Sequence, residues 1–369
     1  VKAKILILLN AALILTTTSG AAFTCCREVQ KSLRNVVGAN DLSMKVSSPG
    51  ALSALRSEAN MAGVRFLETQ DEFGRTQITK VGYYQKLGED DSSDTQTDIC
   101  TPGTTPAKLY ASVTTPRYRE VELTLNDADF KTFCETHSEY RAEMTRRKLD
   151  VLYHNINKDV VTDLIANYGE FYDTSSSAAV SVPMVNTDGS ANYWGETMIL
   201  DEFEKAEISG KPLLIGHGLL NKYVRLQKIG CCNDGGADMS QIGEFNFYRD
   251  AQVDKQQSGA NHIIALAPGT TQFISNVDFV GDFEVFDGKN AKTTIVDPLT
   301  GMTLNMTVVY NFCQGGDSAS SWVIKWSVNY GLFTLPDNLA AAPSPWEGVN
   351  GIFHFQATCG DANVCDNQS

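Results

Sequence analysis

The chain has 369 residues, 42% of them hydrophobic and 20% charged, a balance that builds a packed core and excludes a disordered or fibrous chain. Its 30 basic and 44 acidic residues leave a formal charge of −14. A surface of that sign repels phosphate backbones, which excludes a protein that holds nucleic acid by counterion release. The length suffices for two domains or one elaborated one.

Residues 1–24 open with Lys2 and Lys4, run nearly all apolar from Ile5 to Leu15, and reach Ser19-Gly20-Ala21. An apolar run of about 11 residues is too short to span a bilayer and has the layout of a signal peptide. The reading preferred here is an apolar arm that packs on a neighbouring subunit, with the signal peptide as the alternative. Residues 25–62 carry two weak helical patterns, Arg27–Val37 and Leu52–Ala62, on either side of Ser47-Ser48-Pro49-Gly50. They hold too little apolar material for a core of their own and read as part of an extended arm.

Residues 63–125 read as a long hairpin. Val64–Glu68 and Thr76–Lys86 are rich in β-branched and aromatic residues, Gly88–Asp94 forms an acidic tip, and Tyr118–Leu125 is the return strand. Val121, Leu123 and Leu125 alternate with Glu120, Glu122 and Thr124. A hairpin this long with so little apolar area requires a partner surface.

Asn126–Gly169 contains no proline and no glycine before its last residue. Asn126 and Asp127 are helix-starting residues. Phe130, Phe133, Cys134, Tyr140, Met144, Leu149, Leu152, Ile156, Val160, Leu164 and Tyr168 recur at helical spacing. The pattern is least regular at Thr136–Glu139, which predicts a short helix and then a long one from about Tyr140 to Tyr168. Unbroken, about 42 residues would span roughly 63 Å. Gly169 is the expected left-handed stop.

Beyond a Ser/Asp/Gly-rich connection at 173–190, a helix is predicted from Tyr193 to Ser209, stopped by Gly210-Lys211-Pro212. Leu213–Gly216 reads as a buried strand, His217–Ile229 as a helix and Ile263–Ala267 as a second buried strand, so this region is α/β. Met302, Leu304, Met306, Val308 and Tyr310 alternate strictly, as do Trp322, Ile324, Trp326, Val328 and Tyr330, which predicts an antiparallel pair. The tail, with Trp346, Phe353 and Phe355, should pack back onto the body.

No residue of the sequence carries the pattern of a catalytic, cofactor-binding or metal-binding group. Cys134-x-x-His137 is half a metal site without a second half, and reads as core packing. The other histidines, His154, His217, His262 and His354, are scattered. Gly216-His217-Gly218 sits between a strand and a helix, but Asn221 stands where the third glycine of a nucleotide fingerprint belongs. Cys231–Gly236 reads as a tight loop. The sequon Asn305-Met306-Thr307 lies inside a predicted strand and is discounted. The nine cysteines include no C-x-x-C pair and read as mostly buried, reduced thiols, with Cys359 and Cys365 as the candidates for a disulfide.

The order of parts resembles the major capsid proteins of tailed bacteriophages, with the Hong Kong 97-type fold. Phe133-Cys134-Glu135, Val296-Asp297-Pro298-Leu299-Thr300-Gly301, Tyr330–Pro336 and Gly348-Val349-Asn350-Gly351 are similar to stretches in capsid proteins of phages that infect Bacteroidetes, including crAss-like ones. The resemblance implies an α+β fold. Its parts would be an N-terminal arm at 1–62 and an extended loop at 63–125. The spine helix and the start of a peripheral domain would occupy 126–192, an α/β axial domain 193–290, and return strands with a C-terminal tail 291–369. It further implies a non-enzymatic protein of the virion, assembled in the host cytoplasm as hexamers and pentamers into an icosahedral shell around double-stranded DNA. Its partners would be its own copies, a portal and other capsid proteins, with no membrane and no cofactor. The alternative is an exported periplasmic or surface protein.

Overall fold

A computed structural model describes residues 25–29, 32, 50–58, 66–71, 77–84, 108–114, 117–135, 138–172, 176–206, 208, 210–230, 241–242, 245–277, 284–287, 290–297, 301–311, 321–334 and 349–360. The apolar N-terminus, the acidic tip, His137, the Cys231–Gly236 loop and Trp346 lie outside them. The chain divides into two compact units, Val1–Ser48 with Thr115–Asn155 and Ser275–Tyr330, and Pro49–Thr114 with Ile156–Ile274 and Gly331–Ser369.

The first unit is built on an antiparallel sheet. β4 (Arg117–Asn126) pairs with β14 (Ser321–Thr334), and β14 with β13 (Thr303–Asn311). The sheet continues through β12 (Asn290–Val296) to β11 (Glu284–Asp287), and β10 (Thr271–Asn276) also joins β14. The period-two alternation places Trp322, Ile324, Trp326 and Val328 on the buried face with Leu304, Met306 and Val308. The predicted antiparallel pair is therefore present.

The expected hairpin differs. Its return strand belongs to this sheet and pairs with β14. Leu123 lies opposite Ile324 and Leu125 opposite Trp322, so the alternating face of β4 is buried against aromatic and branched partners far away in sequence. The remainder of the hairpin is a separate sheet of β1 (Phe66–Asp71), β2 (Gln77–Tyr84) and β3 (Lys108–Thr114), antiparallel in that order.

The predicted break in the long helix is present. α2 (Asp127–Glu135) is followed by α3 (Ser138–Ala166). The Asn126 side chain accepts the Asp129 N–H at 2.8 Å, capping α2 as its sequence predicts. Leu149, Leu152, Ile156, Val160 and Leu164 are fully or almost fully buried, but Tyr140 is 45% exposed. Nine residues at about 100° each put Tyr140 roughly opposite Leu149 on the helix. The buried positions of the first turns are Arg141, Ala142 and Thr145 instead.

The second unit is a mixed sheet in the order β5 (Val180–Val185), β15 (Ile352–Cys359), β9 (His262–Leu266), β6 (Leu213–Gly216), β8 (Phe245–Arg249), β7 (Gln241–Ile242). β5 runs parallel to β15 and β6 parallel to β8, and the other pairs are antiparallel. α4 (Tyr193–Lys205) packs on β5, α5 (Leu219–Gly230) on β5 and β15, and α6 (Gln252–Lys255) on β9. Phe353 and Phe355 are fully buried in a core with Phe171 and Phe203, so the tail packs back as predicted. β11 leaves the expected 193–290 axial segment for the first unit's sheet, because its ladder partner β12 is there.

The 25–62 stretch is not a free arm where it is described. Residues 25–29 are helical, with Cys25, Cys26 and Val29 buried. α1 (Gly50–Glu58) packs on β8 and β6 with Ala51, Leu52, Ala54 and Leu55 buried. Its first N–H groups have built-in partners: Ala51 N–H donates to Asp250 Oδ2 and Leu52 N–H to Asn157 Oδ1, each at 2.9 Å. A Cβ at Gly50 would overlap the Arg249 carbonyl, so only glycine permits this approach.

Gly169 also departs from its expected role. It is not among the residues with positive φ. Its N–H donates to the Ile352 carbonyl at 2.9 Å, and a Cβ there would collide with the Asn350 side chain. Asn350 Nδ2 in turn donates to the Asn167 carbonyl just past α3 at 2.9 Å. The helix end is thus closed by close packing on the Val349–Gly351 turn, not by a left-handed residue.

Candidate functional site

The loop 216–218 is the one place where sequence spacing raised nucleotide binding. In the structure Asn261 reaches into it, and its Oδ1 accepts the Leu219 N–H at 3.0 Å. Asn261 holds a left-handed conformation with φ 64° to do so. A side-chain amide oxygen takes the position at the start of α5 where an anion would have to bind. His217 Nε2 lies 3.2 Å from Arg249 Nη2, so the histidine is also engaged.

The structure brings together two histidines that sequence spacing left apart. His262 on β9 and His354 on β15 are diagonal neighbours across one ladder, with His262 Nδ1 3.0 Å from His354 Nε2. His354 stacks on Tyr168, centroids 4.3 Å apart, and His262 Nε2 lies 3.1 Å from the Ser258 carbonyl. Burial, reinforced by the neighbouring His262, pushes His354 down to about 4. Among the described residues no nucleophile or carboxylate side chain is hydrogen-bonded to either imidazole. The Asp254 carboxylate accepts the backbone N–H of His262 at 2.8 Å instead. Among the described residues no cluster of His, Cys, Asp or Glu has the composition of a metal site.

Cys134 is not simple core packing. It forms a disulfide with Cys25, Cα atoms 4.9 Å apart, across 109 residues of sequence. The expectation of reduced thiols fails here because the 25–29 helix lies against α2. Arg141 secures that contact: its Nε donates to Ser32 Oγ at 2.8 Å and its Nη1 to the Phe133 and Cys134 carbonyls. Burial pulls the guanidinium below its usual range, and Glu28 at 3.8 Å pulls it back. Cys26 stays a free buried thiol, pushed up to about 12 by burial. Cys359 is disulfide-bonded too, and the expected partner Cys365 lies outside the described residues.

The sequon residue Asn305 is 1% exposed, which agrees with discounting it. What the surface does offer is large apolar side chains: Tyr118, Tyr140, Val151 and Val296 in the first unit and Tyr193 and Trp194 in the second are 45–64% exposed.

No family model and no curated protein matches the chain. Solved structures of similar course exist at low identity. One titled "Mycobacterium phage Adephagia" is 11% identical with a TM-score of 0.45, covering 87% of this chain and 94% of that one. "Mycobacterium phage Che8" is 11% identical with a TM-score of 0.43, over 75% and 84%. A virus-like particle from Pyrococcus furiosus is 12% identical with a TM-score of 0.39, over 83% and 98%. Among the described residues no helix is long and apolar enough to cross a membrane.

Proposed function

We propose that this chain is a structural virion protein, a major capsid protein of the Hong Kong 97 type that assembles as hexamers and pentamers into an icosahedral shell around double-stranded DNA. The observation that carries the reading is the sheet β1–β2–β3. Among the described residues its strands pair only with each other, so both β1 and β3 present an unpaired edge. Small sheets of this kind need a covering surface, and open edges invite one. A second copy supplies it: the extension lies over a neighbour's α3, the spine, while the α/β unit serves as the axial domain and the β4–β14 sheet as the peripheral one. The role is non-enzymatic. The acidic surface lets enclosed DNA slide rather than stick. Portal and other capsid proteins are the further partners, and assembly takes place in the host cytoplasm.

Electron microscopy of the purified chain tests this, with shells or rings as the expected result. Deletion of residues 70–115 leaves a folded subunit that forms none. A wild-type protein that stays a monodisperse monomer overturns the proposal.

A second reading has its own support. The leader-like segment ends just before Cys25, and a disulfide such as Cys25–Cys134 persists in oxidising compartments, though also on virions. An exported protein would be processed near Ala21, and cell fractionation separates the two readings.

A further inference from the structure

In the first unit the helix at 25–29 is held to α2 by two separate sets of contacts, one covalent and one not. The covalent one is the Cys25–Cys134 bond. The other is built on Arg141, which reaches both sides. On one side its Nε donates to Ser32 Oγ at 2.8 Å and its Nη2 lies 3.8 Å from Glu28 Oε2. On the other its Nη1 donates to the Phe133 and Cys134 carbonyls. Ser32 Oγ also donates to the Glu28 carbonyl at 2.8 Å, which fixes the acceptor that Arg141 uses. Cys25, Cys26 and Val29 add a fully buried apolar face.

This second set needs no sulfur–sulfur bond, so it acts on the reduced chain as well. Two thiols held in this way meet as an intramolecular pair at high effective concentration. Cys25 and Cys26 are adjacent, yet only Cys25 is bonded to Cys134. Successive helical residues point about 100° apart, so one of the two faces Cys134. Burial pushes the Cys26 thiol up to about 12, which withholds the thiolate that exchange requires.

We propose that Cys25–Cys134 is a lock closed after folding: Arg141 seats the 25–29 helix in the reduced chain, and a small disulfide of the glutathione class closes the bond once the chain leaves a reducing compartment. The reducing origin rests on the assembly reading above, because cytosolic glutathione and thioredoxin keep thiols reduced. One protein thiolate attacks the small disulfide, which forms a mixed disulfide and releases one small thiolate. The second protein thiolate then displaces the other. Two protein thiols are oxidised, one small disulfide is reduced to two thiols, and both protons pass to the departing thiolates. Closure ties the residue that follows 1–24 covalently to the end of α2.

The full chain is made in a cytoplasm, the cells are lysed into acid to halt exchange, and the cysteines are alkylated and mapped by mass spectrometry. Cys25 and Cys134 should both be found as thiols. Glutathione disulfide added to the native reduced chain should create Cys25–Cys134 and leave Cys26 free. Trypsin cleavage at the exposed Arg27 reports the seating. It should be about tenfold slower in the reduced native chain than in the urea-unfolded one, and slower again once the bond is closed. Ser32→Ala, which removes the acceptor of Arg141 Nε and leaves the cap on α2, should lose that protection in the reduced chain and keep it in the oxidised one. A chain already bonded at lysis, a reduced chain cut at Arg27 as fast as an unfolded one, or a bond to Cys26 each overturns the lock. Protection unchanged by Ser32→Ala in the reduced chain overturns Arg141 as its seat. Microscopy decides separately whether copies form shells, and a chain that forms none keeps or loses the lock on these measurements alone.

Discussion

Asp297, at the end of β12, accepts a 2.7 Å hydrogen bond from the hydroxyl of Tyr153, 144 residues earlier on α3. Arg146, two turns before Tyr153, takes the other carboxylate oxygen in a buried ion pair. The three side chains are 0–4% exposed, so the charges are shielded from water and from salt. The turn that follows is closed by Asp297 N–H to the Met302 carbonyl at 2.8 Å and by Gly301 N–H to the Asp297 carbonyl. The helix and the sheet of the first unit are thereby fixed in one register.

Removing one partner of a buried pair strands the other. Asp297→Ala should cost about 3–5 kcal/mol, because Arg146 remains charged and buried. Tyr153→Phe should cost less, about 1–3 kcal/mol. Urea unfolding of both variants checks the order, and equal small losses would contradict it.

The Cys25–Cys134 bridge closes a loop of 109 residues. Chain entropy assigns a loop of about that length roughly 4–5 kcal/mol, within a measured span of about 2–5. Cys134→Ser, or reductant, should lower the melting temperature correspondingly. Cys26, buried with its thiol pushed up to about 12, should not react with a thiol reagent at pH 8 until the protein unfolds. Fast labelling of the native chain at Cys26 would refute this.

His354 gives the second unit an acid-sensitive point. Its folded value of about 4 lies below the unfolded 6.5, so the unfolded chain binds the proton more tightly. The stability contribution is complete above pH 6.5 and is lost as pH falls from 6.5 to 4. Because the ring is only about half buried, about 1–2 kcal/mol is the reasonable size after discounting for solvent screening. His354→Phe, which keeps the stack on Tyr168, should flatten the difference in stability between pH 7 and pH 4.5 by that amount.

Asp250 satisfies three donors at once: Ala51 N–H, Asn157 Nδ2 and Gln252 N–H. Asp250→Ala or Gly50→Val should release α1 from the sheet. Limited proteolysis should then cut residues 50–58 at least several times faster than in the wild type. An unchanged digestion rate would show that α1 is held by its apolar face alone.

Ile156 is fully buried on α3. Ile156→Asp places an uncompensated charge there and should prevent folding, read as loss of soluble protein.

Local signals carry most of the local structure, though the helical stripe misplaces Tyr140 and the left-handed stop expected at Gly169 is absent. The α2–α3 break, the α4 start at Tyr193, the β6 strand at Leu213–Gly216 and the β13–β14 pair all follow from caps, breakers and periodicity. The larger departures are long-range. Nothing near Tyr118–Leu125 says that its partner is Trp322–Tyr330, and nothing near Cys134 points to Cys25. Three residues of the stretches similar to capsid proteins make long-range contacts: Asp297 anchors a turn to α3, Cys134 ends α2 in a disulfide, and Asn350 closes the end of α3.

The pairing of β4 with β14 has a consequence for synthesis. Asn126 lies opposite Ser321, so 321 − 126 = 195 residues must leave the ribosome before the ladder can close. At roughly 5–20 residues per second, β4 waits about 10–40 s with Leu123 and Leu125 uncovered. A nascent chain in that interval is a client for a chaperone, and slowing translation between the two strands should lower the yield of soluble protein.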